Sequence, residues 1–594
     1  MNITGRISAL RRLMVQKKID IYFIPSADFH QSEYVGDYFK CREFITGFTG
    51  SAGTALISQT EACLWTDGRY FIQAEKELEG SEVKLMKSGE PGVPTIMEYL
   101  QSHLPQNGVL GFDGRTVSSE EGIRYKKELA DKNVTLFYSE DLINEIWPNR
   151  PALPNKKIFL LEQQYAGQST SDKLAKLREE MRIKGVDIHP LISLDDIAWL
   201  LNFRGRDVAS VPVALCYAIV TMDKVHLFID ETKLSQTAKD IFAQDGVVLH
   251  PYNEIYRFVK SPDNSQGIML DMQKMNFTLY SDLPKDVKVV KCTNPTTLWK
   301  AMKNPQEIDN TRSAHLKDAI AHTKFMYWVK NNWNNICITE MSASEKLESL
   351  RAEQEGFLWP SFEPISAFGE HAAMCHYSSS KETDVQLTGG HLFLTDTGGH
   401  YMEGSTDITR TIAIGDISQE LKTHFTNVLR GNLALANINF LYGCTGENLD
   451  ILARQFLWNM HLDYKHGTGH GVGHLLSVHE GPCSIRWRHL GTPTALEEGM
   501  ILSDEPGIYI EGSHGIRLEN ELLVCKDIEN EYGQFMRFEV LTYVPFDLDA
   551  IDKDLLSETE KAQLNAYHKK VYELVSPHLT LDERNWLKEY TREI

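Results

Sequence analysis

Five residues of metal-binding types follow one another in the C-terminal half of the chain, each inside a distinctive sequence context. Four carboxylates and one imidazole form an oxygen-rich ligand set, which suits a pair of Mn, Co or Zn ions better than the thiolate-rich sets of structural zinc. The pattern therefore predicts a two-metal hydrolytic site. Its residues are Asp396, Asp407, His470, Glu505 and Glu519.

The two aspartates lie in the segment HLFLTDTGGHYMEGSTDITRTIAIG, which predicts an apolar strand, a glycine-containing turn and a second strand. Asp396 is expected to end the first strand and Asp407 to begin the next, so that both carboxylates converge on one side. Two such carboxylates repel each other strongly unless a cation lies between them. For either residue alone the capping of a turn is the better interpretation, but the motifs that follow favour ligation.

The segment HGTGHGVGHLLSVHEGP begins at His466 and contains four histidines. His466 and His470 have the HxxxH spacing of a helical zinc site, but the alternating glycines disfavour a helix and no glutamate follows His466. We therefore predict a glycine-rich strand or loop that brings the backbone close to a ligand. His470 would face the metal, and His466 and His479 the substrate. His474 is interpreted as a structural residue.

Glu505 and Glu519 lie in ILSDEPGIYI and GIRLENELLV, two apolar segments that predict strands. A carboxylate inside such a strand is costly unless it is paired or bound to a cation, so this context favours ligation. Arg517 precedes Glu519 by two residues and should lie on the same face of the strand, where it can support a ligating carboxylate. An ordinary surface ion pair is the alternative for Arg517.

A long helix is predicted to open the domain that carries these residues. In KNPQEIDN, Asn304 can cap a helix, Pro305 can occupy its first turn and Glu307 can complete a capping box. An earlier boundary is predicted at WPNRPALPN, where the prolines favour an extended linker. Apolar residues recur along the helix at helical spacing, which indicates a packed face. They are Ile308, Leu316, Ala319, Ile320, Phe325 and Trp328.

The two segments before this helix resemble divergent copies of each other. In each, a helix is followed by a hydrophobic strand, which predicts an α/β unit with a mixed sheet. Neither copy contains a dense cluster of catalytic residue types, so both are interpreted as scaffold and interface domains. At a single offset, Leu10, Met14, Asp20 and Ile21 align with Leu177, Met181, Asp187 and Ile188.

The overall composition excludes several classes of protein. With 594 residues, 42% of them hydrophobic, the chain can fill more than one core. A net charge of −21 disfavours binding to nucleic acid or to anionic membranes. The nine cysteines are dispersed without a CxxC pair, which predicts reduced thiols. Without an apolar run of about 18 residues or a signal-like N-terminal segment, a cytoplasmic location is expected.

The ordered motifs DTGGHYMEGSTDITRT, HGTGHGVG, VHEGP, DEPGIY and RLEN resemble those of the pita-bread metallopeptidases, and specifically the long, three-domain Xaa-Pro aminopeptidases. The resemblance covers nearly the whole chain. It implies an α/β (α+β) fold with two creatinase-like N-terminal α/β domains at 1–150 and 155–302. A pita-bread catalytic domain at 304–545 would follow, with a C-terminal extension at 546–594 packed on it.

The resemblance also implies a role for each predicted ligand and for three histidines. A hydroxide that bridges two metals would attack the peptide carbonyl that precedes proline. His479 would donate a hydrogen bond to the oxygen of the intermediate, while His466 and His376, in AAMCHY, would position the proline and the scissile bond. Glu505 would also carry a proton to the leaving nitrogen. Asp396 would hold one metal, His470 and Glu505 the other, and Asp407 and Glu519 both.

Cys375 stands beside His376 and raises the alternative of a cysteine protease. Neighbouring residues of a strand point to opposite faces, so this pair is not predicted to act together. The segment FGEHAAMCHY also departs from the Asn-Gly or Gly-Ala types expected before the histidine.

The cofactors implied are two divalent metal ions per subunit, with Mn favoured over Zn or Co. Peptides with proline at the second position are the implied substrates, and a homodimer is the implied assembly. A prolidase would share every ligand but cleave only dipeptides, and the long N-terminal half and the tail favour the aminopeptidase. Metal-free creatinase-type chemistry and a non-catalytic peptide-binding module are disfavoured because all five ligands are retained.

Overall fold

Two six-stranded sheets with the same topology form the first half of the computed structural model, which describes residues 1–263, 265–489 and 491–594. The strand orders are β4-β3-β2-β1-β5-β6 and β12-β11-β10-β8-β13-β14, and β7 pairs with β9. Strands β1–β6 are Ile21–Pro25, Thr54–Ser58, Ala62–Thr66, Val83–Lys87, Val109–Gly111 and Thr135–Phe137. Strands β7–β14 are Phe159–Leu160, Ile188–Leu191, Phe203–Arg204, Cys216–Thr221, Val225–Ile229, Val247–His250, Gly267–Leu270 and Lys288–Lys291.

These sheets confirm the predicted duplication and the predicted mixed pairing. Strand β1 pairs antiparallel with β2 and parallel with β5, and β8 pairs in the same way with β10 and β13. The aligned residues Asp20 and Asp187 also make equivalent contacts. Their carboxylates accept the backbone N–H groups of Val109 and Gly267, the first residues of β5 and β13, each at 2.8 Å.

Helices connect the strands of both sheets. Leu10 and Met14 on the first helix are fully buried, as are Leu177 and Met181 on the helix that occupies the same place in the second copy. Helices α1–α13 are Ile3–Lys17, Cys41–Thr46, Phe71–Leu78, Ile96–His103, Ser119–Glu128, Leu142–Ile146, Gln163–Ala166, Thr170–Lys184, Leu194–Leu200, Gln236–Gln244, Ile255–Phe258, Phe277–Ser281 and Pro295–Ala301.

The chain divides into two units by its internal contacts. The first comprises Met1–Glu162 and Gln168–Thr297, and the second comprises Gln163–Gly167 and Leu298–Ile594. Residues 147–158, which contain the predicted linker, form neither helix nor strand. Within the described ranges, none of the helices is long and apolar enough to cross a membrane.

The predicted long helix of the second unit is confirmed as α14. Asn304 caps it and forms a capping box with Glu307, and Pro305 is its first residue. Its buried face shares a core with strands near the predicted site and with the C-terminal helices, through residues such as Phe325, Phe393 and Val571. Helices α14–α19 are Pro305–Asn332, Glu340–Ala352, Gln419–Ala436, Gly446–Trp458, Glu558–Val575 and Leu581–Tyr590.

Among the described residues, the second unit also contains three small sheets and one six-stranded sheet. The orders are β15-β18-β19, β16-β17-β20, β21-β28-β27-β24-β22-β23 and β25-β26. Strands β15–β21 are Phe357–Pro360, Ile365–Phe368, His391–Thr397, Gly399–Tyr401, Gly404–Ser405, Ile408–Ile414 and Asn439–Leu441. Strands β22–β28 are Gly469–Gly471, Glu480–Ile485, Ile501–Asp504, Gly507–Ile510, His514–Arg517, Asn520–Asn530 and Gly533–Val540.

Candidate metal centre and active site

Three of the predicted ligands form a cluster of metal-binding atoms in the second unit. One ligand atom each of Asp407, His470 and Glu519 lies within 4.8 Å of the other two. Nε2 of His470 is 3.7 Å from Asp407 Oδ2 and 3.5 Å from Glu505 Oε1. Residues from distant parts of the chain therefore meet at one point.

Strand pairing brings the two aspartates to the same end of a sheet. Asp396 stands opposite Thr409 in the antiparallel pair β17 and β20, and Asp407 immediately precedes β20. The chain between them forms the hairpin β18–β19 in another sheet, so the reversal is longer than the predicted turn. Oδ1 of Asp396 is buried and has no hydrogen-bond partner among the described residues, so it offers a cation an unused acceptor.

His470 lies on strand β22 and not on a helix, as predicted. Its Nδ1 faces the carbonyl of Gly471 at 3.1 Å, so that Nε2 faces the carboxylates. A Cβ atom at Gly469 would lie 1.9 Å from the carbonyl oxygen of Ser503, and one at Gly471 would lie 2.2 Å from that of Glu480. These glycines therefore permit close packing between strand backbones, and the close approach to a ligand stays a prediction.

Glu505 and Glu519 lie just outside strands, not within them as predicted. Glu505 follows β24, and Glu519 lies between β26 and β27. Their backbone N–H groups donate to the carbonyls of Thr468 and Thr409, at 2.8 and 3.1 Å. Because each of these threonines stands two residues from another predicted ligand, each glutamate is anchored beside that ligand.

The carboxylates of this cluster are crowded in a buried space. Burial raises the pKa values of Asp407 and Glu519 well above their usual range, and repulsion from neighbouring carboxylates, Asp396 among them, adds to both shifts. Burial also raises the pKa of Glu505 to about 7, although Arg517 opposes that shift. A bound cation would relieve the same repulsion, so the electrostatics of the cluster fit a metal site.

Arg517 connects the cluster to the surrounding residues. Its guanidinium donates to Asp396 Oδ2, to the hydroxyl of Tyr509 at 2.6 Å and to Thr409 Oγ1 at 3.2 Å. Thr409 Oγ1 in turn donates to Glu519 Oε2 at 2.8 Å. Arg517 is only 2% exposed, so it is not a surface ion pair.

Two of the predicted substrate histidines lie beside these residues. The ring of His479 contacts that of His470 edge to face, with centroids 4.3 Å apart. Nε2 of His466 lies 2.8 Å from the hydroxyl of Tyr509, which also accepts the hydrogen bond from Arg517. His466 is therefore linked to the cluster through Tyr509.

The third, His376, is half-buried in a turn that follows the 3-10 helix Gly369–Ala373, and not in a strand as predicted. The preceding Cys375 is buried. A Cβ atom at Gly515 would lie 1.8 Å from the carbonyl oxygen of Ala372, so the 3-10 helix packs against strand β26, which carries Arg517.

His474 has the surroundings of a structural residue. It is buried, with Nδ1 3.2 Å from Thr311 Oγ1 on helix α14 and Nε2 3.1 Å from the carbonyl of Tyr165. Both ring nitrogens thus contact protein groups outside the cluster.

Family profiles match successive parts of the chain. Two profiles described as the creatinase/prolidase N-terminal domain match residues 6–146 and 149–307. The metallopeptidase family M24 matches residues 309–526, and the C-terminal region of peptidase M24 matches residues 534–594.

Curated relatives match over nearly the full chain. Aminopeptidase P2 of Arabidopsis thaliana is 38% identical and covers 99% of this chain and 88% of its own length. Xaa-Pro aminopeptidase 1 of Dictyostelium discoideum is 37% identical, and the match covers 99% of this chain and 96% of that protein. The chain belongs to the Xaa-Pro aminopeptidase family. Among solved structures, the X-prolyl aminopeptidase of Caenorhabditis elegans, described as a cytosolic enzyme with a di-nuclear active site, matches over 100% of both chains with a TM-score of 0.96 and 34% identity.

Membership of the Xaa-Pro aminopeptidase family confirms the predicted α/β fold. Two creatinase-type domains precede the pita-bread domain of M24, and the C-terminal region of that family follows it. As a member of this family, the protein is a hydrolase of the metallo-exopeptidase class.

Three residues that the sequence motifs did not single out support the candidate site. Thr409 could have been found, since it stands two residues after Asp407 and so lies on the same face of the strand. No motif or spacing in the sequence around Tyr509 and Glu340 indicates a role at the site. Glu340 accepts hydrogen bonds from the Phe368 backbone N–H at 2.7 Å and from the Tyr377 hydroxyl at 2.9 Å, so it holds both ends of the segment that carries His376.

Proposed function

We propose that the protein hydrolyses the bond between an N-terminal residue and a proline at the second position of a peptide, with the help of two divalent metal ions. The convergence of buried Asp407 and Glu519 with half-buried His470, whose Nε2 lies 3.5 Å from Glu505 Oε1, carries this proposal. Relatives named aminopeptidase P and Xaa-Pro aminopeptidase, similar over 99% of the chain, support the substrate class.

The donor set fits a pair of divalent ions. Carboxylate oxygens are hard ligands, and one buried oxygen of Asp396 lacks a hydrogen bond among the described residues. Mn is the ion we favour, with Zn or Co as alternatives. We assign Asp396 to one ion, His470 and Glu505 to the other, and Asp407 and Glu519 to both.

Such a pair of ions supplies Lewis acidity and a water that is deprotonated near neutral pH. The protein supplies the hydrogen bonds around it. His479, beside His470, donates to the carbonyl oxygen on which negative charge develops. His466, fixed by Tyr509, and His376 orient the proline and the scissile bond. A carboxylate oxygen of Glu505 would take up the proton that the attacking water gives up and pass it to the imino nitrogen as the C–N bond breaks.

Specificity for proline requires a rigid pocket, because the tertiary amide has no N–H to bind. Glu340 supports the segment before His376 through His371, whose Nδ1 lies 2.9 Å from Glu340 Oε1, and through the hydroxyl of Tyr377. These contacts favour the 369–377 segment as one wall of the pocket.

We also propose that the protein acts as a homodimer. Trp458 and Trp487 are 37% and 45% exposed, and their rings meet edge to face 5.8 Å apart. Exposed aromatic clusters are typical of protein interfaces. Sedimentation velocity should give the mass of a dimer, and Trp458→Glu should shift it toward the monomer. A monomeric parent would contradict this assembly.

A cytoplasmic location completes the proposal. All nine cysteines are free thiols, which suits a reducing compartment. The similar enzyme from Caenorhabditis elegans is described as cytosolic. Subcellular fractionation should recover the protein with soluble cytoplasmic markers, and recovery with secreted proteins would contradict the proposal.

Hydrolysis by metal-reconstituted protein tests the function. The metal-free protein is loaded with Mn or Zn and given either Arg-Pro-Pro or an Xaa-Pro dipeptide. We expect release of arginine from the tripeptide, little hydrolysis of the dipeptide, and higher activity with Mn. Metal analysis should give two ions per subunit.

The other outcomes identify the alternatives. Hydrolysis of the dipeptide alone would make the protein a prolidase-type dipeptidase. Full metal binding without turnover of either peptide would support a non-catalytic peptide-binding module. Either result would overturn the proposed activity.

A further inference from the structure

A buried arginine on strand β20 lies next to the candidate metal centre but forms no ion pair with any carboxylate of the described residues. Arg410 is fully buried. Burying a guanidinium is costly unless its N–H groups find acceptors. Because a guanidinium carries several N–H groups, it can bind several acceptors at once. The position of those acceptors therefore indicates what this residue holds together.

One side of Arg410 binds the segment that carries Glu519. Nη1 donates to the carbonyl oxygen of Glu519 at 2.5 Å, and Nη2 donates to Asn520 Oδ1 at 2.7 Å. The neighbouring Thr409 accepts the Glu519 backbone N–H at 3.1 Å and donates from Oγ1 to Glu519 Oε2 at 2.8 Å. The backbone and the carboxylate of Glu519 are thus both fixed by Thr409 and Arg410.

The other side of Arg410 binds the segment just before the C-terminal extension and a helix of that extension. Nη2 donates to the carbonyl of Val544 at 2.8 Å and to the hydroxyl of Tyr567 at 2.9 Å, and Nε donates to the carbonyl of Pro545 at 3.3 Å. Tyr567 lies on helix α18, and its hydroxyl donates to the carbonyl of Val544 at 2.6 Å. The helix therefore holds Arg410 both directly and through Val544.

A second contact fixes this junction. Nε2 of His568, the residue after Tyr567, accepts the backbone N–H of Phe546 at 3.1 Å, and the guanidinium of Arg410 lies 4.3 Å from the centre of the Phe546 ring. Two adjacent residues of α18 thus hold the chain that packs on Arg410. Hydrogen-bond partners that orient a metal ligand typically change metal affinity by about 10- to 100-fold when they are removed.

We propose that the C-terminal extension is a positioning element for the metal centre, which acts from Tyr567 through Arg410 on Glu519. This inference rests on the proposed function, in which Glu519 binds both ions. Tyr567 is a positioning residue and does not touch the substrate.

The test compares two tyrosines of the same helix in the full-length protein. Tyr567→Phe removes the hydroxyl that contacts Arg410. Tyr572→Phe removes a hydroxyl from α18 that forms no hydrogen bond with the described residues, and serves as the matched control. Titration calorimetry of the metal-free proteins with Mn²⁺ alone gives the affinity, and hydrogen exchange of residues 518–521 reports the ligand segment.

We expect Tyr567→Phe to weaken Mn²⁺ binding roughly tenfold, to speed exchange at 518–521 and to lower kcat with little change in KM. Tyr572→Phe should match the parent in all three. A Tyr567→Phe protein with a lower melting temperature but parental Mn²⁺ affinity and exchange would show a merely structural contact and overturn the proposal.

Glu519→Gln separates this inference from the function on which it rests. If Glu519→Gln retained parental Mn²⁺ affinity and activity, the proposed metal centre itself would be wrong. If Glu519→Gln lost both while Tyr567→Phe retained both, only the role of the extension would be rejected.

Discussion

Two buried aspartates, one in each unit, have opposite surroundings. In the first unit, the carboxylate of Asp207 accepts the backbone N–H groups of Lys156 at 3.0 Å and Leu215 at 2.8 Å, and pairs with the buried ammonium of Lys233. In the second unit, Asp407 lies among other carboxylates, and burial together with their repulsion raises its pKa well above the usual range.

The contrast separates a structural acid from a binding acid. At Asp207, hydrogen-bond donors and a cation of the protein itself match the negative charge, so the folded chain stabilises the ion without help. At Asp407, the chain brings further carboxylates and one imidazole, and the guanidinium of Arg517, which pairs with Asp396, offsets only part of the repulsion. A cation from solution would match the remaining charge, which is the role that Lys233 has at Asp207.

The first way to break the comparison is to neutralise Asp407. Asp407→Asn keeps the shape of the side chain but removes a charge that we assign to both metal ions. We expect peptide hydrolysis to fall about ten-thousandfold, or by about 5 kcal/mol of transition-state stabilisation. The measurement is kcat/KM with Mn-loaded protein.

The same variant should be more stable than the parent when both are metal-free. The pKa of Asp407 is raised, so its ionised form destabilises the fold near neutral pH, and asparagine removes that repulsion. Melting temperatures in the presence of a chelator test this. An inactive variant that melted below the metal-free parent would indicate lost packing instead of a lost ligand, and full activity would reject the bridging role.

Much of the site was predictable because each predicted ligand lies in a short motif of its own. DTGGHYMEGSTD predicted two aspartates at strand ends, and the glycines of HGTGHGVG correctly excluded a helix. The sequence predicted that Arg517 supports a ligating carboxylate, but it could not identify Asp396 and Thr409 as the partners, because these contacts join separate strands. Only the pairing of β17 with β20 and the path of β26 bring these residues together.

In the fold, too, features set by local sequence could be predicted, whereas features set by contacts between distant segments could not. The alignment of Asp20 with Asp187 predicted two equivalent units, because each aspartate follows a helix of the same pattern. The strand orders could not be predicted, since they depend on which strands pair. The apolar neighbours of Glu505 and Glu519 predict positions inside strands, whereas their backbone N–H groups bind the carbonyls of Thr468 and Thr409 and both residues lie just outside strands.

The second way to break the comparison is to neutralise the acid of the first unit. Asp207→Asn leaves the ammonium of Lys233 buried without its anion, and breaking such a pair typically costs about 3 to 5 kcal/mol. We expect the first unit to unfold at a lower urea concentration than in the parent. Hydrogen exchange at residues 207–233 measures this unfolding transition. The activity per folded molecule should equal that of the parent. If Asp207→Asn lowered kcat as much as Asp407→Asn does, Asp207 could not be distinguished from Asp407 as a purely structural acid.

The smallest expected effect comes from the arginine that supports Asp396. Arg517→Gln keeps a polar side chain but removes the positive charge and the guanidinium N–H groups that bind Asp396, Tyr509 and Thr409. Because hydrogen-bond partners orient metal ligands, we expect Mn²⁺ affinity to fall about 10- to 100-fold. Calorimetric titration of the metal-free protein measures it.

A second arginine–carboxylate pair supplies the control for this prediction. Arg312 donates to both carboxylate oxygens of Glu539, at 3.0 and 2.8 Å, but its side chain is 39% exposed. Exposed pairs contribute about 0 to 1 kcal/mol, so Arg312→Gln should leave Mn²⁺ affinity unchanged. If both variants lost affinity equally, the effect would follow from removal of positive charge in general. If only Arg517→Gln lost Mn²⁺ affinity, the loss would follow from the specific contact of Arg517 with Asp396, which orients that carboxylate for a cation.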